Sequence, residues 1–191
     1  MIKSSHTQKK ALFLDRDGVI NQDKDYVHKI EDFIFIPGIF DLVKTFKKLG
    51  YLIIIITNQS GIGRGYYTIT EFNKLNDWMI KSFNNQGLFI DDVYFCPHKP
   101  DEGCLCRKPK PGMILKARDH YNIDLSSSLL IGDNESDILA GQKAGIDTLI
   151  LVRSGHQIDE KKTRAHYILN SAKEVNQLII HGQTIETEKL I

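Results

Sequence analysis

The chain has 191 residues, 41% hydrophobic and 26% charged, which suits one globular domain (residues 1–191, core about 10–180) with a core of its own. Twenty-five basic residues against 24 acidic ones leave a formal charge of +1, and no basic block stands out; this argues against nucleic acid or an acidic membrane surface as partner. The longest apolar run, Tyr51–Ile56, is far shorter than the roughly 20 residues of a membrane span, and MIKSSHTQKK lacks the apolar core of a secretory signal. The expectation is a cytoplasmic monomer.

Short apolar runs predict strands at 11–14, 52–56, 92–95, 128–132, 148–152 and, more weakly patterned, 167–169. They are apolar on both faces, as strands of a buried parallel sheet are. Amphipathic helices are expected at 39–49, with Gly50 as its stop, and at 70–86, 111–121, 135–145 and 171–180. Trp78 and the aromatics in phase with it read as core filling. Alternating strands and helices give an α/β doubly wound parallel sheet, whose ligands bind beyond the carboxyl ends of the strands.

Each of the first four strands runs into reactive residues. After the first come Asp15, Arg16, Asp17 and Gly18. Two carboxylates so close can divide labour between a nucleophile and a proton donor, although Asp is also common in polar turns. The second strand is followed by Thr57, Asn58, Gln59 and Ser60, whose hydroxyls and amides suit a phosphoryl group or merely a polar loop. After the fourth, Asp133 and Asp137 are spaced to face one way on a helix's first turn, where acidic residues also suit the helix end. Asp15 and Asp133 at neighbouring strand ends would offer hard oxygen ligands to Mg2+.

The third strand leads into Cys96-Pro-His98, then Cys104-Leu-Cys106-Arg107-Lys108-Pro109. All three cysteines fall within this stretch. Three thiolates and an imidazole form a closed, structural Zn2+ set, and the clip would hold Arg107 and Lys108 in place to neutralise a phosphate. The other histidines, His6, His28, His120, His156, His166 and His181, read as ordinary surface or core residues.

D-R-D-G, T-N-Q-S, R-K-P and G-D-N-E-S-D, in this order, resemble the haloacid dehalogenase superfamily of phosphatases, over about residues 10–175. The Cys/His loop resembles the branch that holds heptose-bisphosphate and histidinol-phosphate phosphatases. Within it, Tyr26-Val27-His28, Phe35–Gly38 and Cys106–Met113 look like the heptose group. The resemblance implies a Rossmann-like fold without a large cap domain, with a zinc-binding loop after strand three. It implies removal of the C7 phosphate of a heptose 1,7-bisphosphate, in activated-heptose biosynthesis. Asp15 would form an aspartyl-phosphate. Asp17 would protonate the leaving oxygen and then activate water. Mg2+ would bind the Asp15 carboxylate, the Asp17 backbone carbonyl and Asp133. Thr57 and Lys108 would stabilise the phosphoryl group, Arg107 would recognise substrate, and Asp23, Lys24, Asp25 and Tyr26 together with Thr57–Ser60 would touch sugar and phosphate. Arg16 is expected to point away. Heptose phosphatases often carry Lys where this chain has Asn134, and the tail from His181 has no assigned role.

The rivals are separable. A phospho-receiver also carries an aspartyl-phosphate at a strand end, but lacks an acid/base group at the position of Asp17. A zinc-ribbon module needs a second ligand cluster, and a nucleic-acid 3′-phosphatase a basic groove. Histidinol phosphate remains the same-fold alternative.

Overall fold

The computed structural model describes residues 8–180; the tail from His181 and the histidines His6 and His181 lie outside the described residues. Six strands form one sheet: β1 (Ala11–Leu14), β2 (Leu52–Asn58), β3 (Asp92–Cys96), β4 (Leu129–Gly132), β5 (Thr148–Val152) and β6 (Tyr167–Leu169). Their order is β3-β2-β1-β4-β5-β6, and every pairing is parallel. The helices are α1 (Ile39–Lys48), α2 (Ser60–Arg64), α3 (Ile69–Asn84), α4 (Gly112–Tyr121), α5 (Glu135–Ala144) and α6 (Ala172–Ile180).

Strand side chains alternate between two apolar layers, as the two-residue repeat of a strand requires. Leu12, Leu14, Ile53 and Ile55 join α1, α3 and α6 on one face, through Leu42, Phe46, Leu75, Met79 and Val175. Ala11, Phe13, Ile54 and Ile56 join α4 and α5 on the other, through Met113, Ile114, Ala117 and Ile138. With both faces covered, the strands are apolar throughout, which is why they read as continuous runs in the sequence. Trp78 is partly buried and packs against Phe33 and Phe35 on the first layer.

Helix ends follow local chemistry. Thr68 and Glu71 form a capping box at the start of α3, and Gly50 takes φ +79° just past α1. No helix among the described residues is long and apolar enough to cross a membrane.

The chain leaves β1 toward β2 and β3 on one side and later returns to place β4 on the other. The crevice at the carboxyl ends of β1 and β4 is therefore the topological switch point of the sheet. Among the described residues no separate cap domain covers it: the segment from Asp15 to Gly38 carries a short 3-10 helix at Ile30–Asp32 and isolated bridges at Asn21, and the β3–α4 segment the Cys/His loop.

Candidate active site

Asp15 follows β1 and Asp133 follows β4, so both carboxylates stand at the switch point. They line a cavity of about 700 Å3, together with Thr57 and Asn58 from the end of β2, Arg107 and Lys108 from the Cys/His loop, and Asp23, Asp25 and Tyr26 from the segment after β1. Asp17, Gln59 and Ser60 also border it; Lys24 is exposed and does not. The structure thus brings together all but one of the residues expected to meet substrate.

The centre of the site is a buried triad. Lys108 Nζ lies 2.9 Å from Asp15 Oδ1 and 2.5 Å from Asp137 Oδ1, and donates to the Ile56 carbonyl at 2.9 Å. Burial pushes the Asp15 carboxyl up to about 7, with Asp137 adding to the rise and Lys108 opposing it. Burial also raises Asp137, again against the pull of Lys108. Burial alone would lower Lys108, but the two carboxylates outweigh it, so the ammonium is held charged. Asn58 fixes its backbone from both sides: Asn58 Nδ2 donates to the Lys108 carbonyl at 3.2 Å, and Lys108 N–H donates to Asn58 Oδ1 at 3.1 Å. Asn58→Ala should therefore lower kcat about tenfold, read from initial rates; an unchanged kcat would remove Asn58 from this role.

Asp133 is wedged where three segments meet. A Cβ on Gly18 or on Gly155 would overlap its carboxylate, so both positions need glycine for close approach. The backbone N–H of His156 donates to Asp133 Oδ2 at 3.0 Å, and its Nδ1 lies 2.6 Å from the same oxygen. The hydrogen bond to Asp133 raises His156 to about 9 against its own desolvation, helped by Asp23. His156, expected to be a surface or core residue, is half-exposed and also lines the cavity, on the segment after β5, a strand end outside the four that the sequence singles out. Asn134 caps α5, accepting from Ser136 N–H at 2.9 Å, and borders the cavity.

Asp17 borders the same cavity. Arg16, expected to point away and to be structural, does not line the cavity but grips Asp17 from behind. It is 1% exposed and donates from Nε at 3.2 Å to Asp17 Oδ2 and from Nη2 at 3.0 Å to Oδ1, with Nη2 also on the Val27 carbonyl at 2.8 Å. Its guanidinium lies over the Phe72 ring, and a charge in such surroundings turns to the nearest carboxylate. Asn21 donates to Asp17 Oδ1 at 2.9 Å.

Asp25 and Tyr26 take φ of +54° and +55°, strained for non-glycine residues, and Tyr26 meets Tyr66 edge to face with ring centres 4.8 Å apart. Cys96, His98, Cys104 and Cys106 converge beside the cavity, with neighbouring sulfur and Nδ1 atoms 3.3–3.5 Å apart, a donor set compatible with a zinc ion. Burial opposes ionisation of Cys104, but the Arg107 N–H and the neighbouring thiols outweigh it and bring it down to about 7.

This sheet order, with a strand-end carboxylate, a second carboxylate two residues on and a buried lysine, is the layout of a phosphoric monoester hydrolase. Residues 105–175 match the HAD-hydrolase-like family model. The chain is 58% identical over 153 residues to the D-glycero-alpha-D-manno-heptose-1,7-bisphosphate 7-phosphatase of Campylobacter jejuni, an alignment covering 80% of this chain and 85% of that one. It is 44% identical over 180 residues to the D-glycero-beta-D-manno-heptose-1,7-bisphosphate 7-phosphatase of Vibrio cholerae, covering 90% and 97%. A crystal structure of D,D-heptose 1,7-bisphosphate phosphatase from B. bronchiseptica, complexed with magnesium and phosphate, matches with a TM-score of 0.81 at 31% identity, covering 90% of this chain and 98% of that one. The chain belongs to the haloacid dehalogenase-like D-glycero-D-manno-heptose-1,7-bisphosphate 7-phosphatase family.

Proposed function

We propose that this protein is a Mg2+-dependent phosphatase that removes the C7 phosphate of D-glycero-D-manno-heptose 1,7-bisphosphate, in the biosynthesis of activated heptose for surface glycans. The observation that carries this reading is the buried Asp15–Lys108–Asp137 triad at the switch point, in a chain 42–58% identical to relatives named for that activity.

Asp15 attacks the phosphorus, forming an Asp15–phosphate bond as the bond to the C7 oxygen breaks. Asp17 gives that oxygen its proton, then takes a proton from the water that attacks the phosphorus, so that inorganic phosphate leaves and the Asp15 carboxylate is restored. Lys108 and Thr57 stabilise the charge on the transferring group. Asp23, Lys24, Asp25, Tyr26, Asn58, Gln59, Ser60 and Arg107 form the surround for sugar and second phosphate. Lys24 must reach in from the rim, and Gln59 acts with its amide turned toward the protein.

The donor set fits a hard cation. Oxygens of Asp15, Asp133 and Asp137 lie within 4.8 Å of one another, an all-carboxylate set, with the His156 ring on the outer side of Asp133 Oδ2. Asp15, Asp133 and the Asp17 carbonyl would hold Mg2+, while Lys108 keeps Asp137. Bound there, Mg2+ would neutralise phosphoryl charge beside the nucleophile. Cys96, His98, Cys104 and Cys106 would hold a structural Zn2+. We read the protein as a cytoplasmic monomer acting on a small molecule, supported by its near-neutral charge.

The test is phosphate release with Mg2+ from both anomers of heptose 1,7-bisphosphate and from histidinol phosphate. Turnover of a heptose anomer, at least about 10^4-fold lower in Asp15→Asn, is expected. Preference for histidinol phosphate would overturn the substrate; activity surviving in Asp15→Asn would overturn the aspartyl-phosphate.

A further inference from the structure

Gln59 stands in the T-N-Q-S loop expected to touch substrate, yet its amide is spent on the protein. The side chain is 2% exposed. Nε2 has two hydrogens, and both are used: one on Asp17 Oδ2 at 3.0 Å, one on Thr57 Oγ1 at 2.7 Å. Oε1 accepts from the Tyr67 hydroxyl at 2.6 Å. The two sides of an amide differ only in which end donates, so something must decide which end faces Asp17. Turned over, Gln59 would point a carbonyl oxygen at the Asp17 carboxylate, which would then be left to Arg16 and Asn21.

The acceptor-only Asp17 carboxylate makes that decision, and Tyr67 holds the other end of the amide in place. Its hydroxyl meets Oε1 as a donor, and burial pushes it up to about 12, so it keeps its proton at working pH. The ring is itself fixed: it is 4% exposed and stacks on His28 at 4.9 Å between centres, with 6° between planes. Gly61 makes room, because a Cβ there would overlap the Tyr67 ring.

We propose that Tyr67 is a positioning residue for proton transfer: its hydroxyl locks the Gln59 amide, and Gln59 in turn aims the Asp17 carboxylate at the leaving oxygen. The proposal rests on the catalytic role of Asp17 in the phosphatase reading. It departs from a substrate-binding role for Gln59, whose polar atoms are committed before substrate arrives.

The test compares two leaving groups. An alkyl phosphate such as the heptose bisphosphate needs a proton on its departing oxygen; p-nitrophenyl phosphate departs as a stable anion and needs little help. Because kcat/KM reports the steps through the first irreversible one, it isolates phosphoryl transfer. Tyr67→Phe keeps the ring and removes the hydroxyl. Its kcat/KM for the sugar should fall about tenfold, carried by kcat, and its value for p-nitrophenyl phosphate should change less than about twofold. Gln59→Leu should fall further, and Tyr67→Phe added to it should cost nothing more, since the hydroxyl acts only through Gln59. Gly61→Ala, which displaces the ring, should repeat the leaving-group pattern. Equal losses on both substrates would make Tyr67 merely structural, and unchanged rates in Tyr67→Phe would likewise overturn the proposal. Additive losses in the double variant would exclude Gln59 as intermediary. A wild-type protein with no Asp15-dependent turnover of either substrate would instead overturn the phosphatase reading, and this proposal with it.

Discussion

Lys108→Met is expected to abolish turnover and to cost the fold about 3–5 kcal/mol at neutral pH, the usual consequence of removing one partner from a buried ionic group. Asp15 and Asp137 are both raised by desolvation even with the ammonium between them. Without it, two carboxylates face each other across a gap lined by Ile56, and at least one must take up a proton. Activity should fall at least about 10^3-fold, because the variant loses both a charged nucleophile and the cation opposite the phosphoryl oxygens. The two losses separate in Lys108→Met/Asp137→Asn: urea melts should recover part of the stability, while phosphate release stays absent. The pH dependence has a definite sign. A carboxyl whose folded pKa is raised, here to about 7 for Asp15, binds more protons folded than unfolded. Its penalty is full above pH 7 and is relieved as pH falls toward the unfolded value near 4. Lys108→Met should therefore be closer to the wild type at pH 5 than at pH 8. Equal losses at both would contradict the triad as the cause.

Removing metal from the Cys96–His98–Cys104–Cys106 cluster is expected to have the second largest effect. Few buried apolar groups anchor this loop: Leu105 is 79% exposed, and residues 101–103 are exposed. The four side chains of the cluster gather the loop, with Lys110 Nζ donating to the Gly103 and Cys104 carbonyls. A chelator should extract about one zinc per chain, lower the Tm by about 10 °C, and cut kcat at least tenfold by loosening Arg107 and Lys108. Cys104→Ser should do the same without chelator. The check is metal analysis beside thermal melts and rates. Protein that carries no zinc and is indifferent to chelator would show the four side chains to be free.

Much of this architecture is legible from residues alone. Strands between two covered faces have no polar side to break the run, so LIIII and TLILV announce themselves. The polar residues just past their carboxyl ends then make a short list of candidates for chemistry. Legibility fails where position depends on packing. β2 runs on to Asn58 because Thr57 and Asn58 pair with Phe95 and Cys96 of β3, and nothing in two polar residues signals a strand. α2 is five residues with two glycines, too short and too flexible to carry a pattern. Arg16 reads as structural, but its hold on Asp17 depends on the wall of the core being in place around it. His156 is reachable by the same rule once R-S-G-H after β5 is treated like the ends of the first four strands. Asp137, one of two acidic residues on a first turn, proves to be the partner of Lys108, a pairing that no spacing between 108 and 137 could announce.

The wedge around Asp133 also fixes an order of events in folding. Its carboxylate is walled by Gly18 and Gly155, contributed by the ends of β1 and β5, so the site closes only when both halves of the sheet have met along β1 and β4. β1, β2 and β3 adjoin their sequence neighbours, whereas pairing β1 with β4 must close a loop of more than a hundred residues, the entropically slow step. Secondary structure can therefore return early on dilution from denaturant. Activity is expected to return last, since a nascent chain that stops short of β4 already carries Asp15 but has no Asp133 to set against it.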